Sequence, residues 1–231
     1  MTEIRAVQLK ELAILESFDE FCRRQGLRYF LVSGSLIGAM RHNGFIPWDD
    51  DIDLGMPADD YRRLMRMPFD CLPKSLGLIR ENSPGSWLGF AKVVCGDCDI
   101  DIFPFETMPR LPYGVVRRLF ILRHGSFHRM RDAHKQVHRV RLAWWSGFHL
   151  CAVGLWKFLN VLFPCGGWHM RPESGFPPHA REDQFVPLKE HEFEGRPYPI
   201  PADYDAVLST EYENWRELPP IEQRKPKHRK E

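Results

Sequence analysis

The chain has 231 residues, of which 43% are hydrophobic and 27% charged, with a formal net charge of +1. Those proportions exclude wholesale disorder and leave room for one substantial domain, or one domain carrying a large insertion. The net charge says little by itself, but its placement is uneven: residues 47–60 hold six aspartates and no basic residue, and residues 110–141 hold nine Lys/Arg against one acid, Asp132. An acidic site and a basic surface in one chain suit metal-bound phosphates better than groove-type nucleic-acid binding, so no nucleic-acid partner is expected.

Residues 3–25 place apolar side chains at helical spacing from Ile4 to Phe21, and Gly26 stands where a helix C-terminus favours glycine. This start reads as an amphipathic helix rather than a secretory leader, and the six scattered cysteines as reduced thiols of a cytoplasmic protein. Cys95-x-x-Cys98 lacks two further zinc ligands at suitable spacing, so ordinary thiols are expected there. Leu27–Val32 reads as a short buried strand breaking at Ser33-Gly34-Ser35, and "LIGAMRH" as one or two helical turns. Pro47 and Gly55-Met56-Pro57 bracket a second strand, and "ADDYRRLMRM" reads as another helix. From Phe90 a third extended stretch runs through "AKVVCGDCDIDIFPF", alternating Asp99, Asp101 and Phe103 against Ile100 and Ile102. Two strands alternating acid with aliphatic, joined through helices, indicate an α/β (α+β) fold with a small mixed sheet.

Residues 110–170 form a basic, aromatic and helical insertion within a single domain spanning 1–231. Its segment 142–163, "LAWWSGFHLCAVGLWKFLNVLF", has the length of a membrane span, but Lys157 and two glycines weaken that reading. An interfacial helix suits the basic flank and the tryptophans, and a helical cap packed on the core is the competing expectation. His124 and His128, at i and i+4, read as part of a basic face rather than a metal site.

Asp49, Asp50, Asp51 and Asp53 crowd into five positions between Phe45-Ile46-Pro47-Trp48 and Ile52, Leu54 and Met56. A solvated acidic loop needs no such hydrophobic frame. A calcium loop of EF-hand type would place Asp49, Asp51 and Asp53 at its first, third and fifth ligand positions. Leu54 then stands where glycine is required and Asp60 where glutamate is, so that template fails. A catalytic metal site on a strand remains: Asp51 and Asp53 share one face, the aliphatics take the other, and Asp101, with Asp99 beside it, supplies a carboxylate from a second strand. Such oxygen ligands suit Mg²⁺ or Mn²⁺, and a pair of ions could activate a hydroxyl and neutralise a leaving phosphate. Gly34-Ser35, between strand and helix, would let backbone N–H groups and a small hydroxyl approach a phosphate. Arg41 and His42 are candidates for the diphosphate against a surface pair on a helix end. Lys92 is a candidate for a phosphate, and Trp48 for stacking on a flat ring or a cation against plain packing. Tyr204 and Tyr212 read as core residues of the closing segment.

The stretch "SGSLIGAMRHNGFIPWDDDIDLGM" followed by "DDYRRL" resembles the central motif of the LicD/fukutin-related phosphotransferases, "IDIFPFE" their second acidic motif, and "FEGRPYPIPADYDAVLSTEYENWRELPP" their closing segment. The resemblance is thinnest across 110–175. It implies a nucleotidyltransferase-type fold, with Asp51, Asp53 and Asp101 as catalytic metal-binding acids, Asp49 as an extra ligand, and Gly34 and Ser35 at the nucleotide phosphates. It also implies a CDP-activated alcohol donor, CDP-choline foremost, a glycan or lipid-linked glycan acceptor such as lipopolysaccharide or teichoic acid, and release of CMP. Ser35 stands where threonine is common in the family. Tyr212-Glu213-Asn214 stands where tyrosine-glycine-aspartate is frequent, which bears on local turn geometry. The expected location is cytoplasmic, with peripheral contact at the inner face of the cell membrane. Two competing expectations are a nucleotidyltransferase releasing pyrophosphate from CTP and a non-catalytic protein that binds glycan or membrane.

Overall fold

The computed structural model describes residues 3–80, 90–107, 111–112, 115, 118–119, 122, 139–163, 168–170 and 182–226. The chain divides into two compact units, one of residues 1–106 and 183–231, the other of residues 107–182.

The first unit opens with helix α1 (Glu3–Gln25), whose stripe of Val7, Ile14, Leu15, Phe18, Phe21 and Cys22 is buried. The helix stops because Gly26 takes a left-handed φ of +61°, letting the Leu27 N–H reach back to the Cys22 carbonyl at 2.9 Å. Strand β1 is only Phe30–Leu31, shorter than the sequence suggests. Helix α2 (Ser33–His42) begins three residues earlier than "LIGAMRH", so Ser33-Gly34-Ser35 forms its first turn. Strand β2 (Asp53–Pro57) runs directly into α3 (Ala58–Arg66). Asp49–Asp51 are therefore not on the strand, a correction to the expected span; they lie in the connection that enters it.

A short β3 (Gly77–Ile79) precedes β4 (Ala91–Cys95) and β5 (Cys98–Thr107). The single extended stretch expected from Phe90 onward is a hairpin. Cys95 faces Cys98 across a turn in which Gly96 has φ +63°, a conformation that glycine adopts without steric cost. These strands make a mixed sheet in the order β1-β2-β5-β4-β3, with β2 and β5 parallel and the other neighbours antiparallel. The α/β fold expected from the sequence is what the structure shows.

One face of the sheet carries Ile52, Leu54, Met56, Ala91, Val93, Ile100 and Ile102, all essentially inaccessible to water. This is a conventional aliphatic core, stabilised by roughly 1.5–3 kcal/mol per buried large side chain. The opposite face is apolar only at one end. There Phe30, Phe105 and Phe185 meet with ring centroids 5.0–5.3 Å apart. Gly55 lies beneath them, and a Cβ on it would stand 2.7 Å from the Phe105 ring.

Later elements return to this unit: α5 (Glu182–Phe185), hairpin strands β7 (Lys189–Phe193) and β8 (Arg196–Ile200), and α6 (Tyr204–Glu211). Glu194 and Gly195, at φ +52° and +81°, make the tight two-residue hairpin turn. Asp203 caps α6 by accepting the Ala206 N–H at 3.1 Å.

In the second unit, helix α4 (Arg139–Leu162) covers the segment 142–163, and strand β6 (Trp168–Met170) follows it. Trp156 is buried, with Leu111 and Leu119 packed against it. Among the described residues no helix is long and apolar enough to cross a membrane. His124, His128 and most of the basic run lie outside the described residues.

Candidate active site

The parallel pairing of β2 with β5 sets Asp53 directly opposite Asp101, and the antiparallel pairing of β5 with β4 sets Asp101 opposite Lys92. Residues paired across strands point to the same face, so Asp53, Asp101 and Lys92 form one row across three adjacent strands, about 4.8 Å apart from strand to strand. Asp99, two residues before Asp101, shares that face. The Lys92 ammonium lies 2.6 Å from Asp101 Oδ1 and pairs with Asp99 as well. Burial alone would lower the Lys92 pKa, but the two carboxylates outweigh it and hold the ammonium charged. Asp101 is pushed above the usual carboxylate range, first by burial and then by the negative charges of Asp99 and Asp51, with Lys92 opposing. That influence places Asp51 within electrostatic reach of Asp101, although Asp51 precedes the strand.

The backbone around these acids is held from several directions. The Ser35 hydroxyl accepts the Asp53 N–H at 2.8 Å, and the Asp53 carbonyl accepts the Val32 N–H at 3.2 Å. Ser35 is buried and so fixes the acid strand to the first turn of α2; that hydroxyl lone pair is engaged by the protein. Gly34 runs hard against the acidic loop: a Cβ there would stand 2.6 Å from Asp49 Oδ2. Only glycine lets the helix start and the Asp49 carboxylate share that space. Asp49 and Asp50 are buried, whereas Asp51 and Asp53 are partly open to solvent.

Other predicted residues take structural posts. Arg41 donates from Nη1 to the carbonyls of Trp215 and Glu217, at 3.1 and 2.8 Å, anchoring the closing segment to α2. Its pKa is lowered by burial, with nearby Asp49 opposing. The imidazole of His42 is held below its ordinary pKa by burial and by Arg41, and its Nε2 is buried without a hydrogen-bond partner. Trp48 has the Arg224 guanidinium 5.4 Å from its ring centre, so one of its faces already meets a cation. Asp60, also in the acidic cluster, is a structural acid paired with Arg28 at 2.7 Å and Arg63 at 3.1 Å.

Sequence reasoning missed Gln8, Glu194 and Glu211 here, and assigned Tyr212 to the core of the closing segment. Gln8 of α1 is buried and donates to the carbonyls of Ile46 and Asp49, at 3.3 and 2.9 Å, tying the acidic loop to the first helix. Glu194, in the β7–β8 turn, accepts the Phe45 N–H at 3.2 Å and a two-pronged contact from Arg5 at 3.0 and 2.6 Å. Glu211 and Tyr212 end α6. Burial raises the Glu211 carboxyl to about 7, with the Ser33 hydroxyl opposing. Tyr212 is raised by burial and then by the negative charges of Glu211, Asp53 and Asp49, which sets it beside the acids rather than in a remote core. Ser33 itself, at φ +49°, holds a left-handed conformation unusual for a residue with a side chain. No periodicity or local motif singles these residues out, because each acts across more than thirty positions of chain.

The donor set fits a hard divalent cation in kind: carboxylate oxygens on partly open side chains, with mutual repulsion that a cation would relieve. Among the described residues, no three His, Cys, Asp or Glu side chains close up as a metal cage.

The family model described as "LicD/FKTN/FKRP, nucleotidyltransferase domain" matches residues 26–105, which run from the end of α1 into β5. The chain is 30% identical over 262 aligned positions to the lipopolysaccharide cholinephosphotransferase LicD of Haemophilus influenzae, covering 97% of this chain and 96% of that protein. It is 57% identical over 35 residues to the human ribitol 5-phosphate transferase FKRP, covering 15% of this chain and 7% of that one. With a protein of Rickettsia typhi it shares 33% identity over 109 residues, covering 46% and 31%. The chain belongs to the LicD/FKTN/FKRP family.

Proposed function

We propose that this chain is a phosphotransferase that moves a phospho-alcohol, phosphocholine foremost, from a CDP-activated donor to a hydroxyl of a surface glycan, releasing CMP in the cytoplasm. The observation that carries this reading is the cross-strand row of Asp53, Asp101 and Lys92 with Asp51 at its edge. The likeness to a cholinephosphotransferase over nearly the whole of both chains supports it. The acceptor oxygen would form a bond to the phosphorus that bears the alcohol. The bond from that phosphorus to the oxygen of CMP would break, and CMP would leave with the electron pair. Asp101, made more basic by burial and its acidic neighbours, would take the acceptor proton. Asp51, Asp53 and Asp101, with Asp49 as a further ligand, would hold Mg²⁺ or Mn²⁺, which when bound would neutralise the diphosphate. Lys92 would then turn between the acids and a donor phosphate. Gly34 and Ser35, at the start of α2, would let the backbone and a small hydroxyl approach that phosphate.

The test is CMP release from CDP-choline, CDP-ribitol and CDP-glycerol with a glycan extract as acceptor, each with Mg²⁺ and with EDTA. Metal-dependent CMP from one donor is expected and identifies the alcohol. Pyrophosphate from CTP with no CMP from any donor would replace the reading with nucleotidyl transfer, and silence in both assays would favour a binding role.

A further inference from the structure

Helix α4 turns two different faces outward and inward. Inward, Ala152 and Trp156 are buried, the latter against Leu111 and Leu119. On the opposite side Trp144, Leu150, Phe158 and Val161 are 62%, 69%, 58% and 77% exposed. Their spacings of six, eight and three residues set them on one side of the helix, with Gly147, Cys151 and Gly154 between them. Among the described residues 143–163 there is no acid, and Lys157 is the single Lys or Arg. The helix is not apolar enough to cross a bilayer. Its apolar stripe is nevertheless much longer than the scattered single hydrophobes that a water-facing surface ordinarily carries. The chain entering the helix, residues 110–141, holds nine Lys/Arg against one acid. A second copy of this chain docked on the stripe would bring another such basic run close by, which like-charge repulsion opposes. An anionic surface satisfies both the stripe and the basic run.

We propose that the exposed face of α4 docks into the interfacial layer of an anionic lipid bilayer, the helix axis lying along the surface. Tryptophan and phenylalanine at the boundary of acyl chains and headgroups, with Lys/Arg beside them, are the recognition chemistry of such a helix. The inference is independent of the phosphotransfer reading, because it concerns a face of the second unit.

The full chain is mixed with vesicles of phosphatidylcholine alone, or of phosphatidylcholine with phosphatidylglycerol, and binding is read by co-sedimentation. Quenching of tryptophan emission by brominated acyl chains is the second readout. Binding to the anionic vesicles with quenching is expected, together with weak binding to neutral ones. Leu150→Glu with Phe158→Glu, both water-facing and so harmless to folding, should lower the partition coefficient roughly tenfold or more while the melting temperature and circular dichroism stay those of the parent. Arg139→Gln with Arg141→Gln should weaken binding to anionic vesicles several-fold and leave the weak neutral binding as it was. Failure to bind anionic vesicles at low salt overturns the proposal, as does undiminished binding of the Leu150/Phe158 variant. A protein that ignores vesicles but changes from dimer to monomer in that variant would assign the face to a second copy.

Discussion

At the scale of single residues, the site depends on two kinds of position, those that carry charge and those that carry none. Asp53 belongs to the first. It is partly open to solvent and tied to the fold through its backbone, so Asp53→Asn should lower CMP release by about a hundredfold or more while the melting temperature stays close to that of the parent. A variant with near-parental turnover would remove the metal-acid model. Gly34 belongs to the second. Gly34→Ala would drive a methyl into the Asp49 carboxylate, costing about 1–3 kcal/mol as an overpacked contact and displacing the acid loop. Melting and turnover should fall together there, whereas Asp53→Asn should separate them. The charged residues were legible in the sequence because crowded acids inside a hydrophobic frame demand an explanation. Gly34 was legible in kind, as a residue of close approach, but what it approaches is Asp49 of the protein itself.

Among elements, the acidic connection is braced by pieces distant in sequence. Gln8 of α1 holds its carbonyls, and the β7–β8 turn holds its start through Glu194. Arg5 keeps the Glu194 carboxyl below the usual range, with burial opposing and the Phe45 N–H assisting. A carboxylate depressed in the folded state stabilises the fold above its unfolded pKa, near 4.5, and loses that contribution as pH falls through the lower folded value. Glu194→Gln should therefore lower stability by about 1 kcal/mol at neutral pH, a modest figure because Arg5 is partly exposed. Its unfolding free energy should converge with that of the parent as pH falls below the usual carboxylate range. Parallel curves across that range would show that the carboxylate is not the group responsible. Strands and helices with strong periodicity, α1, α3 and β5, were readable from the sequence. The extent of the acid strand was not, because alternation continues through Asp51 while ladder pairing begins only at Asp53. The β7–β8 hairpin carried its signal in Glu194-Gly195, but nothing local announces that its turn clasps a loop 150 positions earlier.

For the molecule as a whole, the crowded acids make the site a place where a bound cation returns stability. Mg²⁺ at several times its dissociation constant should add about 1 kcal/mol and raise the melting temperature by about 2–4 °C. The same salt should leave an Asp53→Asn, Asp101→Asn double variant unmoved. An equal rise in parent and double variant would mean a general salt effect and no cation at these acids. The α/β architecture and the family were within reach of the sequence because the acid motifs, both strands and the first turn of α2 lie within one hundred residues. The sequence marks residues 110–170 as an insertion within one domain, and the second unit, residues 107–182, spans that stretch.

The clasp between Glu194, Arg5 and Phe45, with the seat of Arg41 on the Trp215 and Glu217 carbonyls, has a consequence for how the protein is born. During synthesis every aspartate of the site emerges from the ribosome long before Glu194 and Trp215 do. The acids, held until then by Gln8, Ser35 and strand pairing, must wait while about ninety or more further residues are added and folded back to them. Long-range closure of this kind is slow, and it makes the final geometry one of the last things the chain acquires. A nascent chain halted after residue 180 would carry all the site's aspartates with Gln8, Ser35 and the strand pairing in place but without the clasp of Glu194 and the seat of Arg41, so competence should rise sharply with the closing segment.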